Sequence, residues 1–189
     1  MIDQNKSCIV IDPSKDDDGI IRYINKNNLN LKGVLLTHGH FDHFRGLERL
    51  LKEFNANFYM GFEEVGFLTS PYLNCSFFVN NQIIFNEKPI TVSDKEILKI
   101  LSEEIYCIHT PFHTIGSYCY YFKNSKLLFS GDFIFKGSVG RSDLPTGNAK
   151  LFAQSIQKII NLDENTKIYP GHGGITSIKI EKETNPYLK

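Results

Sequence analysis

Short apolar runs alternate with amphipathic segments along the first third of the chain. A β-branched run at residues 8–11 is followed by Asp-Pro-Ser, which predicts a strand and then a turn. Isoleucines at helical spacing predict a helix over residues 20–25, and the run Gly-Val-Leu-Leu at residues 33–36 predicts a buried strand. Apolar residues at i, i+3, i+4 and i+7 predict an amphipathic helix over residues 44–54. This order of strand, helix and strand is typical of a sheet covered by helices.

Short predicted strands dominate the later part of the chain. Residues 118–122 and 126–129 are apolar and flank Lys-Asn-Ser, so they predict a hairpin. Residues 71–85 are aromatic and rich in Asn without a clear period, and we predict a loop there that forms part of a substrate wall. The other predicted strands are residues 57–60, 97–100, 105–108 and 167–169, and the other predicted helices are residues 62–68, 149–160 and 175–183.

Length and charge limit the class of protein. The chain has 189 residues, about the size of one domain, so we expect a single domain over residues 1–189. Lys+Arg and Asp+Glu both number 21 and the formal net charge is zero, which leaves no basic field to gather a nucleic acid. We therefore expect no nucleic-acid partner, and nuclease activity is disfavoured.

The cysteines and the first residues bear on the cellular compartment. None of the four cysteines forms a C-x-x-C pair, and each lies among apolar or aromatic neighbours, as buried free thiols do. A reducing cytosol is the simplest location for such thiols. The chain begins with a polar stretch, and no apolar run is long enough to span a bilayer. We expect a cytoplasmic protein without a membrane partner.

Candidate chemistry is concentrated at the ends of the predicted strands. Residues 37–43 read Thr-His-Gly-His-Phe-Asp-His, which places three imidazoles and one carboxylate within six residues. Such groups at one strand end predict a metal site, because they are the ligands that zinc, iron and manganese prefer. Other predicted strands end close to further histidines and aspartates. The candidate ligands are His38, His40, Asp42, His43, His113, Asp132 and His172.

Seven ligands are enough for two metal ions. A pair of ions about 3.5–4 Å apart, bridged by a carboxylate and a hydroxide, is the usual two-metal hydrolytic site. The chain contains six histidines, and five of them lie in these motifs. The sequence therefore predicts a dinuclear centre.

The order of the motifs resembles one family. Asp12, T-H-G-H-F-D-H, H-T-P-F-H-T-I-G-S, S-G-D and P-G-H-G follow one another as in the metallo-β-lactamase superfamily, specifically its glyoxalase II-like (hydroxyacylglutathione hydrolase-like) branch. The segment G-R-S-D-L-P at residues 140–145 looks like the G-R-x-D-x-P segment of the small single-domain bacterial hydrolases of that branch. The resemblance implies an α/β (α+β) fold, an αββα four-layer sandwich in which two mixed sheets lie between outer helices.

The resemblance also implies a role for each candidate ligand. The first metal is expected on three histidines, and the second on two histidines and one aspartate: His38, His40 and His113 for the first, Asp42, His43 and His172 for the second. Asp132 is expected to bridge the two metals. Asp12 is expected to orient a ligand histidine from behind, and a plain Asp-Pro turn is the alternative. His109 is expected to be structural or to support a ligand from behind, because the family's ligand is the histidine of the His-Thr-x-Gly-Ser run.

The expected reaction is hydrolysis. Two Zn²⁺ ions per chain are expected, and iron or manganese would also suit the ligands. Asp42 and Asp132, as the catalytic carboxylates, hold a metal-bridging hydroxide that attacks an ester or thioester such as S-D-lactoylglutathione. A thioester suits this site because its leaving thiolate needs no strong general acid, and the sequence shows no other obvious proton donor.

The substrate and the quaternary structure are less defined by the resemblance. Arg141 stands at a basic position where glyoxalase II binds glutathione, and is expected to pair with a small carboxylate; a surface pair with Asp143 is the alternative. Glycines follow His172 where that enzyme has a tyrosine, so the glutathione site is at best half present. The chain also starts short of the family's first strands. A homodimer through the exposed sheet edge is therefore predicted.

Three other activities of the superfamily are alternatives to hydrolysis of a thioester. A persulfide dioxygenase is the main alternative and would hold one iron on His38, His113 and Asp132. A flavodiiron-type redox module is disfavoured, because its motif places a glutamate at position 40. A β-lactamase is disfavoured, because position 132 typically carries a cysteine ligand in those enzymes and no export signal is visible.

Overall fold

Two β-sheets lie face to face in the computed structural model, which describes residues 1–79 and 81–189, and helices cover their outer faces. The strands are β1 (Ser7–Ile11), β2 (Asn30–Leu35), β3 (Phe58–Gly61), β4 (Ile90–Val92), β5 (Ile97–Leu98), β6 (Ile105–His109), β7 (Tyr118–Phe122), β8 (Leu127–Gly131), β9 (Ile134–Phe135), β10 (Ser138–Val139), β11 (Lys167–Pro170) and β12 (Thr176–Ser177). The α-helices are α1 (Gly19–Lys26), α2 (Phe41–Phe44), α3 (Leu47–Phe54), α4 (Phe152–Ile160) and α5 (Ile178–Thr184).

The two sheets differ in strand direction. The first has the order β1-β2-β3-β4 and its neighbours pair in parallel. The second has the order β12-β11-β8-β7-β6-β5, in which β8 and β11 are parallel and the other neighbours antiparallel. β9 and β10 form a separate hairpin. The parallel pairs β1–β2 and β8–β11 direct their carboxyl ends to the region where the candidate ligands follow.

The inner core lies between the sheets and follows the two-residue period of the strands. In β7, Tyr118, Tyr120 and Phe122 face the first sheet, whereas Cys119 and Tyr121 face the outer helices. The hydroxyl of fully buried Tyr120 donates to the carbonyl oxygen of Leu36 at 2.9 Å, so its burial leaves no unpaired polar group.

The outer layers are built by the apolar stripes of the helices. On the first sheet, α1 and α3 bury one isoleucine and three leucines: Ile24, Leu47, Leu50 and Leu51. On the second sheet, α4 and α5 bury Ile156, Ile159 and Ile178. The result is the αββα sandwich that the family resemblance implied.

One predicted helix is divided in two. Instead of one helix over residues 44–54, α2 ends at Phe44 and α3 begins at Leu47. The turn between them approaches the loop after β1: the N–H of Gly46 donates to the carbonyl oxygen of Pro13 at 2.8 Å. A Cβ at Gly46 would lie 2.2 Å from the carbonyl oxygen of Lys15, so only glycine fits this approach. The contact is tertiary and leaves no mark on the helical periodicity.

Other predictions differ in their bounds. The helix at residues 62–68 is a 3₁₀-helix, Phe62–Phe67, and the one at 149–160 starts as the 3₁₀-turn Ala149–Leu151. The strand at residues 97–100 ends at Leu98, and the helix at 175–183 starts at Ile178, where the Ser177 side chain caps it. The predicted loop at 71–85 contains Ser76–Phe78 as a 3₁₀-turn, and it includes position 80, which lies outside the described residues.

Other sequence predictions concern the thiols, the sheet edge and membrane crossing. All four cysteines are buried and free, as predicted. β1 is the edge strand of the first sheet, and part of its outer side is covered by an antiparallel bridge between Ile2 and Cys8. Dimerisation through this edge stays a prediction. Within residues 1–79 and 81–189, no helix combines the length and apolar character needed to cross a membrane.

Candidate metal centre

The ends of β1 and β2 are fixed to each other by Asp12. This residue adopts a left-handed conformation with φ of 47°, which turns its carboxylate toward the loop after β2. Oδ1 accepts the backbone N–H of Thr37 at 2.8 Å, and Oδ2 accepts the Thr37 hydroxyl at 2.7 Å. These bonds set the start of the histidine-rich loop.

Three imidazoles converge to form what we call the first cluster: His38, His40 and His113. Nδ1 of His40 lies 3.1 Å from Nε2 of His38 and 2.9 Å from Nε2 of His113. All three side chains are buried. Ligands bound to zinc at 2.0–2.1 Å in tetrahedral geometry are about 3.3 Å apart, so the spacing suits one common ion.

Asp42, His43 and His172 form the second cluster. Nε2 of His172 lies 3.2 Å from Oδ2 of Asp42, and Nε2 of His43 lies 3.8 Å from the same oxygen. Asp42 and His43 are in helix α2, and His172 follows β11. His43 is buried, whereas His172 is exposed, so this cluster forms the more open side of the centre.

Asp132 lies between the two clusters. Its Oδ2 is 3.5 Å from Nε2 of His113 in the first cluster and 3.5 Å from Nε2 of His172 in the second. Its Oδ1 is 3.4 Å from Nε2 of His43. One carboxylate therefore reaches both groups of ligands.

Hydrogen bonds behind the rings determine which nitrogen faces the centre. Nδ1 of His43 contacts Oδ2 of Asp12 at 2.9 Å, and Nδ1 of His113 donates to the carbonyl oxygen of Arg141 at 2.6 Å. Nδ1 of His38 lies 3.1 Å from the Thr37 hydroxyl, which already donates to Asp12. Because each Nδ1 carries the hydrogen, each Nε2 presents its lone pair to the centre.

The first cluster is held in the neutral form. Burial, together with the neighbouring His113 and His43, lowers the pKa of His40 to about 3 against the opposing charge of Asp132. Burial likewise lowers the pKa of His38 and of His113, in the latter case against the opposing charge of Asp132. Neutral imidazole is the form that binds a metal ion.

The pKa of His43 moves in the opposite direction. Burial opposes its protonation, but the nearby carboxylates of Asp12 and Asp132 outweigh that effect and raise the pKa well above its ordinary value. Burial in turn raises the pKa of Asp132, whereas His43, His113 and His172 lower it, and the net shift is downward. The second cluster and Asp132 therefore form an anionic environment that favours a cation, either a proton or a metal ion.

Two unpaired buried side-chain atoms, His43 Nε2 and Asp132 Oδ1, face each other at this centre. Among residues 1–79 and 81–189, four buried side-chain atoms have no hydrogen-bond partner: His40 Nε2, His43 Nε2, Asp132 Oδ1 and Thr166 Oγ1. Because the hydrogen of the His43 ring is on Nδ1, Nε2 turns a lone pair toward Oδ1 of Asp132. Two acceptor atoms that face each other need a cation between them. The residues present therefore fit divalent metal ions.

The mouth of the centre has mostly apolar walls. Four side chains surround the ligands on this side: Phe41, Cys75, Phe135 and Leu144. Arg141 also lines the mouth, and its guanidinium contacts the Asp143 carboxylate at 2.7 and 2.6 Å. Both partners are exposed, so the pair is open to exchange with a substrate carboxylate.

The structure separates His109 from both clusters. Its Nε2 lies 2.9 Å from the carbonyl oxygen of Ile115, and its ring stacks on Tyr118 with centroids 5.0 Å apart. The contacts are structural, as the sequence predicted.

Sequence reasoning missed two polar side chains that support the ligand loops. Thr37 links Asp12 to His38 through its hydroxyl. The sequence indicates this role only by placing Thr37 directly before the first histidine. Glu64 is fully buried and accepts the backbone N–H groups of Gly39 and Gly116. Burial raises the pKa of Glu64 to about 7, against the opposing effect of these hydrogen bonds. The sequence Glu-Glu-Val around it carries no such signal.

Comparison with known proteins agrees with this architecture. The family model described as the metallo-beta-lactamase superfamily matches residues 1–172. GloC of Haemophilus influenzae, named a hydroxyacylglutathione hydrolase, is 33% identical over 98% of this chain and 89% of its own length. The crystal structure of BLEG-1, named a B3 metallo-beta-lactamase, matches with a TM-score of 0.95 and 32% identity over 100% of this chain and 91% of that chain. TTHA1623 in a di-iron-bound form gives a TM-score of 0.86 at 27% identity over 95% of this chain and 88% of that chain. The chain belongs to the metallo-β-lactamase superfamily.

Proposed function

We propose that this protein is a dinuclear metallohydrolase that cleaves a thioester, with S-D-lactoylglutathione as the first substrate to test. The observation that carries the proposal is the position of Asp132, whose Oδ2 lies 3.5 Å from a histidine of each cluster. A single carboxylate shared by two sets of ligands suits a pair of ions better than one ion. The similarity to a named hydroxyacylglutathione hydrolase supports the choice of substrate.

We propose that the ligands divide between the two metals as the family resemblance implies. The first metal would be held by His38, His40 and His113, the second by Asp42, His43 and His172, and both by Asp132. Imidazole and carboxylate donors suit zinc, iron and manganese. We propose zinc as the resident metal, with iron as the alternative supported by the di-iron form of TTHA1623.

The bound ions would lower the pKa of water to about 7 and polarise the substrate carbonyl. The protein's part is to place and hold the reacting groups. Asp42 and Asp132 supply carboxylate oxygens on the side of the centre that faces the mouth, where they accept hydrogen bonds from the attacking water. Asp12 fixes the ring of His43 through Nδ1 at 2.9 Å.

The overall reaction needs no strong general acid. The oxygen of water forms a bond to the carbonyl carbon, the carbon–sulfur bond breaks, and the sulfur leaves with the bonding electron pair as a thiolate. The acyl group leaves as a carboxylate, and the two protons of the water pass to solvent. Thiolates have pKa values near 8.5, so the leaving group departs without prior protonation. Within residues 1–79 and 81–189, the polar side chains lining the mouth are the candidate ligands, Arg141 and the thiol of Cys75, whose pKa is raised by burial.

Arg141 is proposed to bind a carboxylate of the substrate. Its guanidinium lines the same mouth and is engaged with Asp143 in the present structure. Binding a glutathione carboxylate would require exchange of Asp143 for the substrate, which the exposure of both side chains allows.

The direct test compares wild type with Asp132→Ala in hydrolysis of S-D-lactoylglutathione after loading with zinc or iron. We expect turnover by wild type and a loss of about a hundred- to a thousandfold in kcat for the variant, as for removal of a main electrostatic group. Equal rates in the two proteins would contradict the proposal. Oxygen uptake with glutathione persulfide and one iron per chain would instead support the dioxygenase.

A second candidate is hydrolysis of a β-lactam. The sequence alone disfavoured this activity, but the match to BLEG-1, named a B3 metallo-beta-lactamase, at a TM-score of 0.95 supports it. The same water attack would open an amide ring, whose nitrogen must be protonated as it leaves. A chromogenic cephalosporin assayed beside the thioester separates the two activities.

The sequence also predicted a single domain, a cytoplasmic location and a homodimer. These stay predictions, as does the absence of nucleic-acid and membrane partners.

A further inference from the structure

Glu64 lies between the two loops that supply the first cluster. Its carboxylate is fully buried. Oε2 accepts the N–H of Gly39 at 2.7 Å, and Oε1 accepts the N–H of Gly116 at 2.8 Å. Burial of a carboxylate is unfavourable unless its oxygens are hydrogen-bonded, and here each oxygen has a backbone donor.

These donors belong to the ligand loops. Gly39 is the residue between His38 and His40, and Gly116 follows His113 by three positions. The two loops are far apart in sequence and follow strands of different sheets, β2 and β6. One side chain from the segment after β3 therefore joins them directly.

The packing around Gly39 makes the junction tight. A Cβ at this position would lie 2.4 Å from Cβ of Phe67, which is in the same 3₁₀-helix as Glu64. The loop is held between the Phe67 side chain on one side and the hydrogen bond to Glu64 on the other. The backbone on both sides of Gly39 thus has little freedom to move.

The spacing of the ligand atoms depends on this junction. Nδ1 of His40 lies 2.9 Å from Nε2 of His113, and these nitrogens come from the two loops that Glu64 connects. Metal sites require ligand positions within about 0.5 Å of the productive geometry. A shift of either loop would separate the first-cluster ligands while leaving each histidine chemically intact.

We propose that Glu64 is a positioning residue for the first metal: by binding Gly39 and Gly116 together it sets the distance between His40 and His113. This inference rests on the proposed dinuclear centre. We expect Glu64 to affect the affinity of the first metal only, because its hydrogen bonds reach neither helix α2 nor His172. A purely structural role would lower stability without selecting one of the two metals.

The test uses Glu64→Gln with Glu63→Gln as the matched control. Glutamine keeps one acceptor oxygen but places an NH₂ donor against the second backbone N–H, so one of the two bonds is lost. Glu63 is the exposed neighbour in the same 3₁₀-helix, and its substitution makes the same change of charge. Glu64→Asp is the second variant: it keeps the charge but is one methylene too short to reach both donors.

Metal binding is measured on the full chain after chelator treatment, by titrating Zn²⁺ in competition with a chromophoric chelator and by recording the absorption spectrum of the Co²⁺-loaded protein. We expect two binding steps in wild type and Glu63→Gln. In Glu64→Gln we expect one step about tenfold weaker or more, as for the loss of a group that orients ligands, and an altered Co²⁺ spectrum. The other step keeps its wild-type Kd.

Other outcomes overturn the inference. If Glu64→Gln and Glu64→Asp bind both ions with wild-type Kd values and an unchanged Co²⁺ spectrum, Glu64 does not position the first metal. Equal weakening of both steps, or failure of both variants to fold, assigns the residue to general stability. If wild type itself binds no metal, the proposed function fails, and this inference fails with it.

Discussion

Nδ1 of His43 lies 2.9 Å from Oδ2 of Asp12, and the same oxygen accepts the hydroxyl of Thr37. Asp12 thereby connects the end of β1 to a ring whose other nitrogen faces Asp132. The contact orients the ring and keeps the hydrogen on Nδ1. Its function is testable because Asp12 is not itself one of the proposed ligands.

Replacing Asp12 is expected to weaken the second metal. In Asp12→Ala the ring of His43 loses its hydrogen-bond acceptor, so we expect the Kd of that metal to rise by 10- to 100-fold, the usual effect for such partners. Asp12→Asn keeps an oxygen acceptor and should lie between Asp12→Ala and wild type. Competition titration with Zn²⁺ measures the change, and a wild-type Kd in Asp12→Ala would show that Asp12 is only a turn residue.

The metal-free protein is expected to lose stability as the pH falls. The pKa of His38, His40 and His113 is lowered on folding, so below about 6.5 the unfolded state binds more protons than the folded state. Stability from these groups is present above that pH and is lost below it. His43 and Glu64, whose pKa values are raised, act in the opposite direction but are two groups against three.

Urea unfolding of chelator-treated protein at pH 7, 6 and 5 measures this dependence. We expect the free energy of unfolding to fall toward pH 5 in wild type and to fall less in His40→Asn, which removes one of the three groups. The expectation is wrong if the two proteins have the same pH dependence.

Metal binding is expected to stabilise the folded state. An ion that binds only the folded protein adds about 2.7 kcal/mol at a free concentration of 100 times its Kd. The melting temperature should therefore rise when Zn²⁺ is added to chelator-treated protein and fall again with chelator. Asp132→Ala, which removes the shared carboxylate, should show a smaller rise. Identical melting curves with and without metal would contradict the ligand assignment.

Arg141 is expected to affect substrate binding more than turnover. Removal of the guanidinium in Arg141→Gln should raise KM for a glutathione thioester by about tenfold, with kcat little changed, because the contact is made in both ground and transition states. Asp143→Asn, which frees the guanidinium, should leave KM equal or lower. Steady-state kinetics measures KM and kcat for each variant. An unchanged KM in Arg141→Gln would show that Arg141 forms only a surface ion pair with Asp143.

Much of the candidate site could be predicted because its residues are chemically unusual where they occur. Histidines and aspartates that directly follow apolar strands, such as His38, Asp132 and His172, have few packing roles there. Strand β7 could be predicted for a similar reason, since it is a continuous run of residues suited to a strand buried on both faces, and the Gly-Val-Leu end of β2 shows the same pattern.

What could not be predicted depends on contacts between distant segments. Glu64 binds backbone N–H groups 25 and 52 residues away, and any sequence offers such donors everywhere. The carbonyl oxygen of Arg141 that orients His113 is equally invisible in the sequence. The interruption between α2 and α3 arises where Gly46 meets the loop after β1, which no helical pattern records. Tertiary packing decided each of these features.

The most direct measurement of the central claim is a crystal structure of zinc-loaded protein with anomalous maps on both sides of the zinc absorption edge. The proposed centre predicts two peaks about 3.5–4 Å apart, one among His38, His40 and His113 and the other among Asp42, His43 and His172, with Asp132 between them. A single peak, or none at these side chains, would contradict a dinuclear centre.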